Sequence, residues 1–149
     1  MLDPWRAWIA AFDAACESDS WDGLADHLAE DVVYAVTGVP FACELRGRDA
    51  VIAGFAKSVR GFDRRFDRRG WTGVGVRHWD PNLVTARPLG EYERAGQPVL
   101  RFAAYGSWWF RADGRIALMT DLYDSGEADI QAALAWLGEY GADLDPGYV

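Results

Sequence analysis

The chain has 149 residues, a length that fits one domain and lets folding bury roughly 68–70% of the surface an unfolded chain exposes. Against 15 Lys and Arg stand 23 Asp and Glu, and the formal charge of −8 repels nucleic-acid phosphates and anionic membrane surfaces. No run is long enough to cross a bilayer, and the first residues lack a basic segment followed by an apolar stretch, so we expect a soluble, cytoplasmic protein.

Cys16 and Cys43 are the only cysteines and read as reduced structural thiols. His27 and His78 stand far apart, with no His-x-His or Cys-x-x-Cys spacing, so no metal site is expected. No phosphate-cradling glycine loop, dinucleotide fingerprint or nucleophilic triad is present, and no cofactor is expected. Aromatic residues make up 14% of the chain, 8 of them Trp, and rings in such number either pack a core or line a ligand pocket.

In chain order, Asp3-Pro4 supplies a cap and a first-turn proline for a helix over about residues 4–17, with Trp5, Trp8, Ile9, Phe12 and Cys16 at three- and four-residue spacing. Ser20 is placed to cap a shorter helix carrying Leu24 and Leu28, and Val32 to Val36 then reads as a strand ended by Thr37-Gly38-Val39-Pro40. After an irregular stretch through Cys43, Asp49 opens a helix with Val51, Ile52, Phe55 and Val59 on one face, fading near Gly61. Residues 62–69 form a four-residue echo, Phe-Asp-Arg-Arg twice; its arginines either hold an anionic group or keep a connector wet, the solvated reading being preferred.

From Trp71 the chain turns to strands at about 71–79, 83–93, 98–111 and 115–124, separated by Asp80-Pro81-Asn82, Arg94-Ala95-Gly96-Gln97 and Ala112-Asp113-Gly114. These predict three successive hairpins. Ser125 is placed to cap a last helix over about 126–140 with Ile130, Leu134 and Leu137 on one side, and the chain beyond Gly141 is expected to fray. Helices first and a long antiparallel meander afterwards predict one α+β domain over residues 1–149, its core at about 5–125, in which a bent sheet wrapped on helices leaves a conical hollow.

That order of elements resembles the nuclear transport factor 2-like superfamily, including its SnoaL-like polyketide cyclases, ketosteroid isomerases and limonene epoxide hydrolases. The resemblance covers residues 5–125 and rests on Trp21-Asp22-Gly23-Leu24, Leu28-Ala29-Glu30-Asp31-Val32-Val33-Tyr34, Arg46-Gly47-Arg48-Asp49-Ala50-Val51 and the run from Asp113 to Asp124. It implies a cone-shaped fold with an apolar pocket and, often in this superfamily, a homodimer through the outer sheet face. The isomerases' tyrosine, general-base aspartate and second oxyanion-hole acid match Phe12, Val36 and Gly106 here, which removes their mechanism. The Arg-x-Asp pair of the epoxide hydrolases matches Pro88 and Gly90 and is absent, whereas their last-strand acid matches Asp121.

Asp121 is therefore the leading catalytic candidate: a carboxyl in an apolar strand has its pKa raised, which suits a general acid or base, although an exposed or hydrogen-bonded strand residue is the plainer alternative. Tyr34 shares a strand face with Val36, whose isomerase counterpart faces the pocket, and is expected to orient a substrate oxygen. His78, whose imidazole is a side chain able to carry protons near neutral pH, is a third proton-transfer candidate if it reaches the cavity and a surface imidazole otherwise. By strand parity Phe102, Ala104, Gly106 and Trp108 share the inner face, and Arg101 and Tyr105 the outer one. Trp8, Phe12, Val36, Phe102, Trp108, Met119 and Tyr123 are the expected substrate-binding wall, while Asp13 is assigned to the helix surface.

Two functions remain open on the sequence. One is a cofactor-independent acid–base enzyme, a cyclase, dehydratase, isomerase or epoxide hydrolase, acting on an apolar, polyketide-like small molecule. The other is a non-catalytic module that uses the same cone to bind a ligand or to dimerise.

Overall fold

The computed structural model describes residues 3–38 and 40–149; Met1, Leu2 and Val39, the last expected in the turn after the first strand, lie outside the described residues. Helix α1 spans Pro4–Ser18, and the Asp3 carboxylate accepts the Trp5 amide hydrogen at 3.1 Å, capping it as the Asp-Pro pair predicts. Its apolar stripe buries Trp8, Ala15 and Cys16, and the helix stops at Asp19, which takes a left-handed conformation at φ 57°. The expected second helix is instead a 3-10 turn over Asp22–His27. Leu28 leaves it to begin strand β1 (Leu28–Thr37), in which every second residue from Val32 to Val36 is buried.

Strand β2 (Cys43–Arg46) pairs antiparallel with β1 where the sequence suggested only irregular chain, and helix α2 (Arg48–Gly61) follows, burying Val51, Phe55 and Val59. Next come β3 (Arg68–Asp80), β4 (Leu83–Glu93), β5 (Leu100–Ala103), β6 (Tyr105–Phe110), β7 (Ile116–Leu122) and helix α3 (Ala128–Tyr140). All three expected hairpin turns are present. Glu127 occupies the α3 cap position instead of Ser125, with no side-chain bond to the helix amides; its carboxylate accepts from Arg87 and Tyr105.

The expected strand 98–111 is broken at Ala104, and the cause lies in its partner. Pro88 has no N–H to give the ladder, so β4 pairs with β5 beyond it and with β6 before it, and the Ala104 amide donates to the Pro88 carbonyl at 3.1 Å. The break leaves side-chain parity intact: Phe102, Ala104, Gly106 and Trp108 are buried while Arg101 and Tyr105 are exposed on the outer face.

The sheet runs β2-β1-β7-β6-β4-β3, with β5 also on β4. It is mixed and not purely antiparallel, because β1 lies parallel to β7, with Tyr34 opposite Met119 and Val36 opposite Asp121. Register shifts near Gly75 in β3 and at the end of β6 bend it around α1 and α2. No helix among the described residues is long and apolar enough to cross a membrane.

Residues 142–149, expected to fray, are held against α2. The Asp145 amide donates to the Gly61 carbonyl at 3.0 Å, the Ser58 hydroxyl donates to the Pro146 carbonyl at 2.9 Å, and Lys57 reaches both Asp145 and the Gly147 carbonyl. Glycines make the approach possible, since a Cβ at Gly61 would collide with the Asp145 carbonyl. We predict that Gly61→Ala loosens this segment: amide exchange at Asp145 accelerates roughly tenfold or more and stability falls by about 1–3 kcal/mol. Hydrogen exchange and urea unfolding check it, and wild-type behaviour in both would contradict the docking.

Candidate active site

Between α1, α2, the inner sheet face and residues 146–148 lies a cavity of about 170 Å³. Of the expected wall, Trp8, Phe12, Phe102, Trp108, Met119 and Tyr123 line it. Met119, Asp121 and Tyr123 alternate inward along and just past β7, as the period of two requires. Val36 does not line the cavity; its short side chain is packed in the core beside Asp121, and Phe41 supplies a ring there, 4.7 Å from that of Tyr123. Gly106 is opposite Asp121 on β6, and the space a side chain would need is filled by the Trp108 indole. Where the isomerases carry an acid, this protein has an aromatic wall.

Asp121 and Tyr34 meet in that wall. The Tyr34 hydroxyl donates to Asp121 Oδ2 at 2.6 Å, across two strands whose parallel register sets the residues diagonally. The tyrosine ring is wedged against Phe55 and Tyr148, with centroids at 4.9 and 5.3 Å. Asp121 Oδ1 has no protein partner among the described residues and is not sealed from the cavity. Burial pushes the Asp121 carboxyl up to about 6, with the Tyr34 bond pulling the other way, and burial together with the neighbouring carboxylate holds Tyr34 well above the ordinary phenol value. Near neutrality the pair is thus a carboxylate beside a firmly protonated phenol.

Tyr148 was missed by sequence reasoning. Its hydroxyl lies 3.2 Å from that of Tyr34, and since Tyr34 gives its only hydrogen to Asp121, Tyr148 is the donor in this contact. The only signal was an aromatic residue in a stretch that otherwise reads as loop.

The four-residue echo also enters the site. Phe62 and Phe66 are buried, and Asp63 lines the cavity, accepting from the Tyr92 hydroxyl at 3.1 Å with Arg69 Nε at 3.5 Å. Arg64 donates to the Cys16 carbonyl at 2.8 Å but stays exposed, as do Arg65 and Arg68, so the solvated reading holds for these three and only Arg69 is half-buried. Burial raises the Asp63 carboxyl, opposed chiefly by Arg69. Asp13, assigned to the helix surface, is exposed but stands in the cavity wall, and partial burial raises its pKa as well.

His78 does not reach the cavity, contrary to the proton-carrier expectation. It stands far along the edge strand β3, half exposed, with Nε2 3.3 Å from the Asp3 carboxylate and its ring edge-on to Trp5 at 6.3 Å. It packs on the first turn of α1, outside the cavity wall. Among the described residues no group of three or more His, Cys, Asp or Glu is placed to hold a metal ion.

The sequence model of the SnoaL-like domain matches residues 5–119. The chain belongs to the SnoaL-like domain family. Among solved structures, Rv0760c from Mycobacterium tuberculosis shares 16% identity over 85% of this chain and 95% of its own, with a TM-score of 0.64, and another structure of it holds estradiol-17β-hemisuccinate. An NTF2-like protein from Anabaena variabilis shares 15% identity over 83% of this chain and 89% of its own, with a TM-score of 0.61. SalBIII, an epoxide hydrolase/cyclase-like enzyme described in pyran ring formation in the polyether salinomycin, shares 13% identity over 81% and 91%, with a TM-score of 0.57. At these identities the likeness is one of fold, and it bears out the NTF2-like cone read from the sequence. No curated protein sequence matches the chain significantly.

The raised Asp121 pKa gives this SnoaL-like domain a testable stability signature. The folded protein holds that proton more tightly than the unfolded chain, so the penalty of the buried charge is absent below about pH 4, grows from pH 4 to 6 and is complete above it. We predict that Asp121→Asn, which can still accept from Tyr34, is more stable than wild type by about 1–3 kcal/mol at pH 7.5 and equal to it at pH 3.5. Denaturant unfolding at both pH values reads this, and a variant less stable at pH 7.5 would show the carboxylate to be a net structural asset.

Proposed function

We propose that the protein is a cofactor-independent enzyme in which Asp121 moves a proton on a small, largely apolar substrate whose oxygen is held by Tyr34. The observation that carries this reading is the Tyr34–Asp121 pair, with one carboxylate oxygen open inside a ring-lined cavity. A carboxyl with a pKa of about 6 is mostly ionised at neutral pH yet basic enough to accept a proton, the compromise that general-base catalysis favours.

The same hydrogen bond provides a way of coupling binding to basicity. When the Tyr34 hydroxyl turns from Asp121 Oδ2 to a substrate oxygen, the carboxylate loses the contact that lowers its pKa and becomes a stronger base. Asp121 then takes a proton from the carbon next to the substrate carbonyl, the C–H electron pair moves into the enolate, and the developing negative oxygen is met by the Tyr34 O–H. Tyr148 backs Tyr34 at 3.2 Å. Return of the proton to the same or a conjugated carbon restores Asp121 and completes an exchange or an isomerisation. Cyclisation, dehydration and epoxide opening use the same positioned acid and base, and SalBIII is a relative in fold for which cyclase-like chemistry is described.

The rival reading, a ligand-binding cone without chemistry, is favoured by Phe12, Val36 and Gly106 standing where the isomerases carry their catalytic groups, and Rv0760c is a relative in fold with a steroid ester bound. Deuterium exchange into an enolisable ketone separates the two. With 2-tetralone in deuterated water, the enzyme reading predicts an exchange rate that rises with pH through about 6 and levels off, falls by roughly a hundredfold or more in Asp121→Asn, and falls less in Tyr34→Phe. Exchange at the buffer rate, or equal in wild type and Asp121→Asn, would leave only the binding module.

A further inference from the structure

The cavity has a second polar pole, built on the same plan as the first. At one end Tyr34 holds Oδ2 of Asp121 and leaves Oδ1 without a protein partner among the described residues; at the other, Tyr92 donates to Oδ1 of Asp63, with Arg69 3.5 Å away and the Trp71 indole N–H beside the same carboxyl. Between them the wall is aromatic: Tyr92 stacks on Phe102 at 5.6 Å, and Phe102 lies 6.0 Å from Tyr123, which follows Asp121 by two residues. A lone buried carboxylate that closed a cavity for structural reasons alone would need both oxygens satisfied. Here Asp121 leaves one oxygen to an occupant, and Asp63 lines the cavity with its side chain still 13% exposed, within reach of one.

Charge restricts what the second pole accepts. An ionised carboxylate only accepts hydrogen bonds, so it selects a donor. Arg69 already balances Asp63, and a neutral hydroxyl completes the site without adding charge, whereas an ammonium would lie against the Arg69 guanidinium and a carboxylate would meet Asp63 and Asp13 head on. Volume restricts the skeleton. An apolar cavity of about 150 Å³ accommodates benzene, and pockets for drug-sized ligands run from about 300 Å³ upward. At about 170 Å³, with Pro146 and Tyr148 in its wall, this cavity matches one or two fused rings and is small for a four-ring skeleton.

Resting on the acid–base reading of Asp121, we propose that the substrate is a compact one- or two-ring carbonyl compound bearing a hydroxyl at the end remote from the reacting carbon, and that Asp63, positioned by Tyr92 and Arg69, binds that hydroxyl. Asp63 is thereby a specificity residue for the reaction. The class is narrower than the polyketide-like range suggested by the sequence, and it excludes steroid-sized ligands.

Quenching of the cavity tryptophans Trp8, Trp71 and Trp108 measures binding of four probes to the full chain. We expect 6-hydroxy-2-tetralone to bind roughly tenfold or more tighter than 2-tetralone, because a charge-assisted hydrogen bond is added. The preference, taken for each protein as the ratio of its two tetralone affinities, shrinks at least about fivefold in both Asp63→Asn and Tyr92→Phe. Testosterone carries a ketone and a hydroxyl at opposite ends of four rings and is expected not to bind at concentrations that saturate the tetralones; 6-(aminomethyl)-2-tetralone, an ammonium at neutral pH, is expected to bind more weakly than the hydroxyl compound.

Equal affinity for the two tetralones, or a hydroxyl preference that survives both substitutions, would overturn the Asp63 assignment while Asp121-dependent exchange into 2-tetralone still stood. Tight testosterone binding would overturn the size limit, and stronger binding of the amine would overturn the choice of a neutral donor. If 2-tetralone neither bound nor exchanged, the acid–base reading would fall first and this one with it.

Discussion

A carboxyl group placed among aromatic rings is stable only if something offsets its lost hydration, and in this protein one 2.6 Å hydrogen bond from Tyr34 to Asp121 carries most of that duty. The bond spans two strands that are distant in sequence and parallel in the sheet, so it exists only when β1 has docked beside β7 in the observed register. Shifting that register by one residue would turn Tyr34 and Asp121 to opposite faces and leave the carboxylate alone. The shape of the cone and the protonation state of its acid are therefore two aspects of one constraint. The offset is incomplete, and the remaining penalty appears as a carboxyl pKa near 6.

The surroundings maintain that imbalance. Trp108 fills the space over Gly106 and removes a place where a second acid or a water cluster would relieve the charge. Tyr148, carried in by residues that α2 grips through Ser58, Lys57 and Gly61, closes the chamber and hydrogen-bonds the one hydroxyl that touches the acid. Helix α2 thereby serves two structural purposes: Phe55 packs against the Tyr34 ring, and the helix holds the chain that supplies Tyr148. At the far pole Asp63 is balanced by Arg69, so the two carboxyls of one cavity differ in character: one is compensated by a cation and the other by a phenol alone.

Much of this was legible in the sequence, and the rest was hidden for identifiable reasons. The spacing of Trp8, Phe12 and Cys16 marked α1, and Asp80-Pro81-Asn82 and Ala112-Asp113-Gly114 marked hairpins, because turn chemistry and helical periodicity are local. Strand parity, once one residue was anchored by family resemblance, carried Tyr34, Phe102, Trp108 and Met119 to the inner face. Parity states a facing direction but not a depth, which is why Val36 faces inward and still misses the cavity. His78 failed differently: nothing in its own neighbourhood tells that it meets the first turn of α1 and not the cavity. Asp63 was masked by the arginines around it, although Phe62 and Phe66 four residues apart were an apolar signal inside a charge run. Tyr148 depends on a tertiary dock whose local sequence, Asp-Pro-Gly-Tyr, looks like any loop.

The Asp121 carboxyl sits in an environment that resists its ionisation, and carbon-13 NMR of the labelled side chain reads this directly. Titration of the carboxyl resonance in the intact protein should give a midpoint near pH 6, moving higher when Tyr34→Phe removes the hydrogen bond that favours the charged form. A midpoint near 4, unmoved by Tyr34→Phe, would mean that water reaches the carboxylate freely and that the chamber does not hold the acid as described.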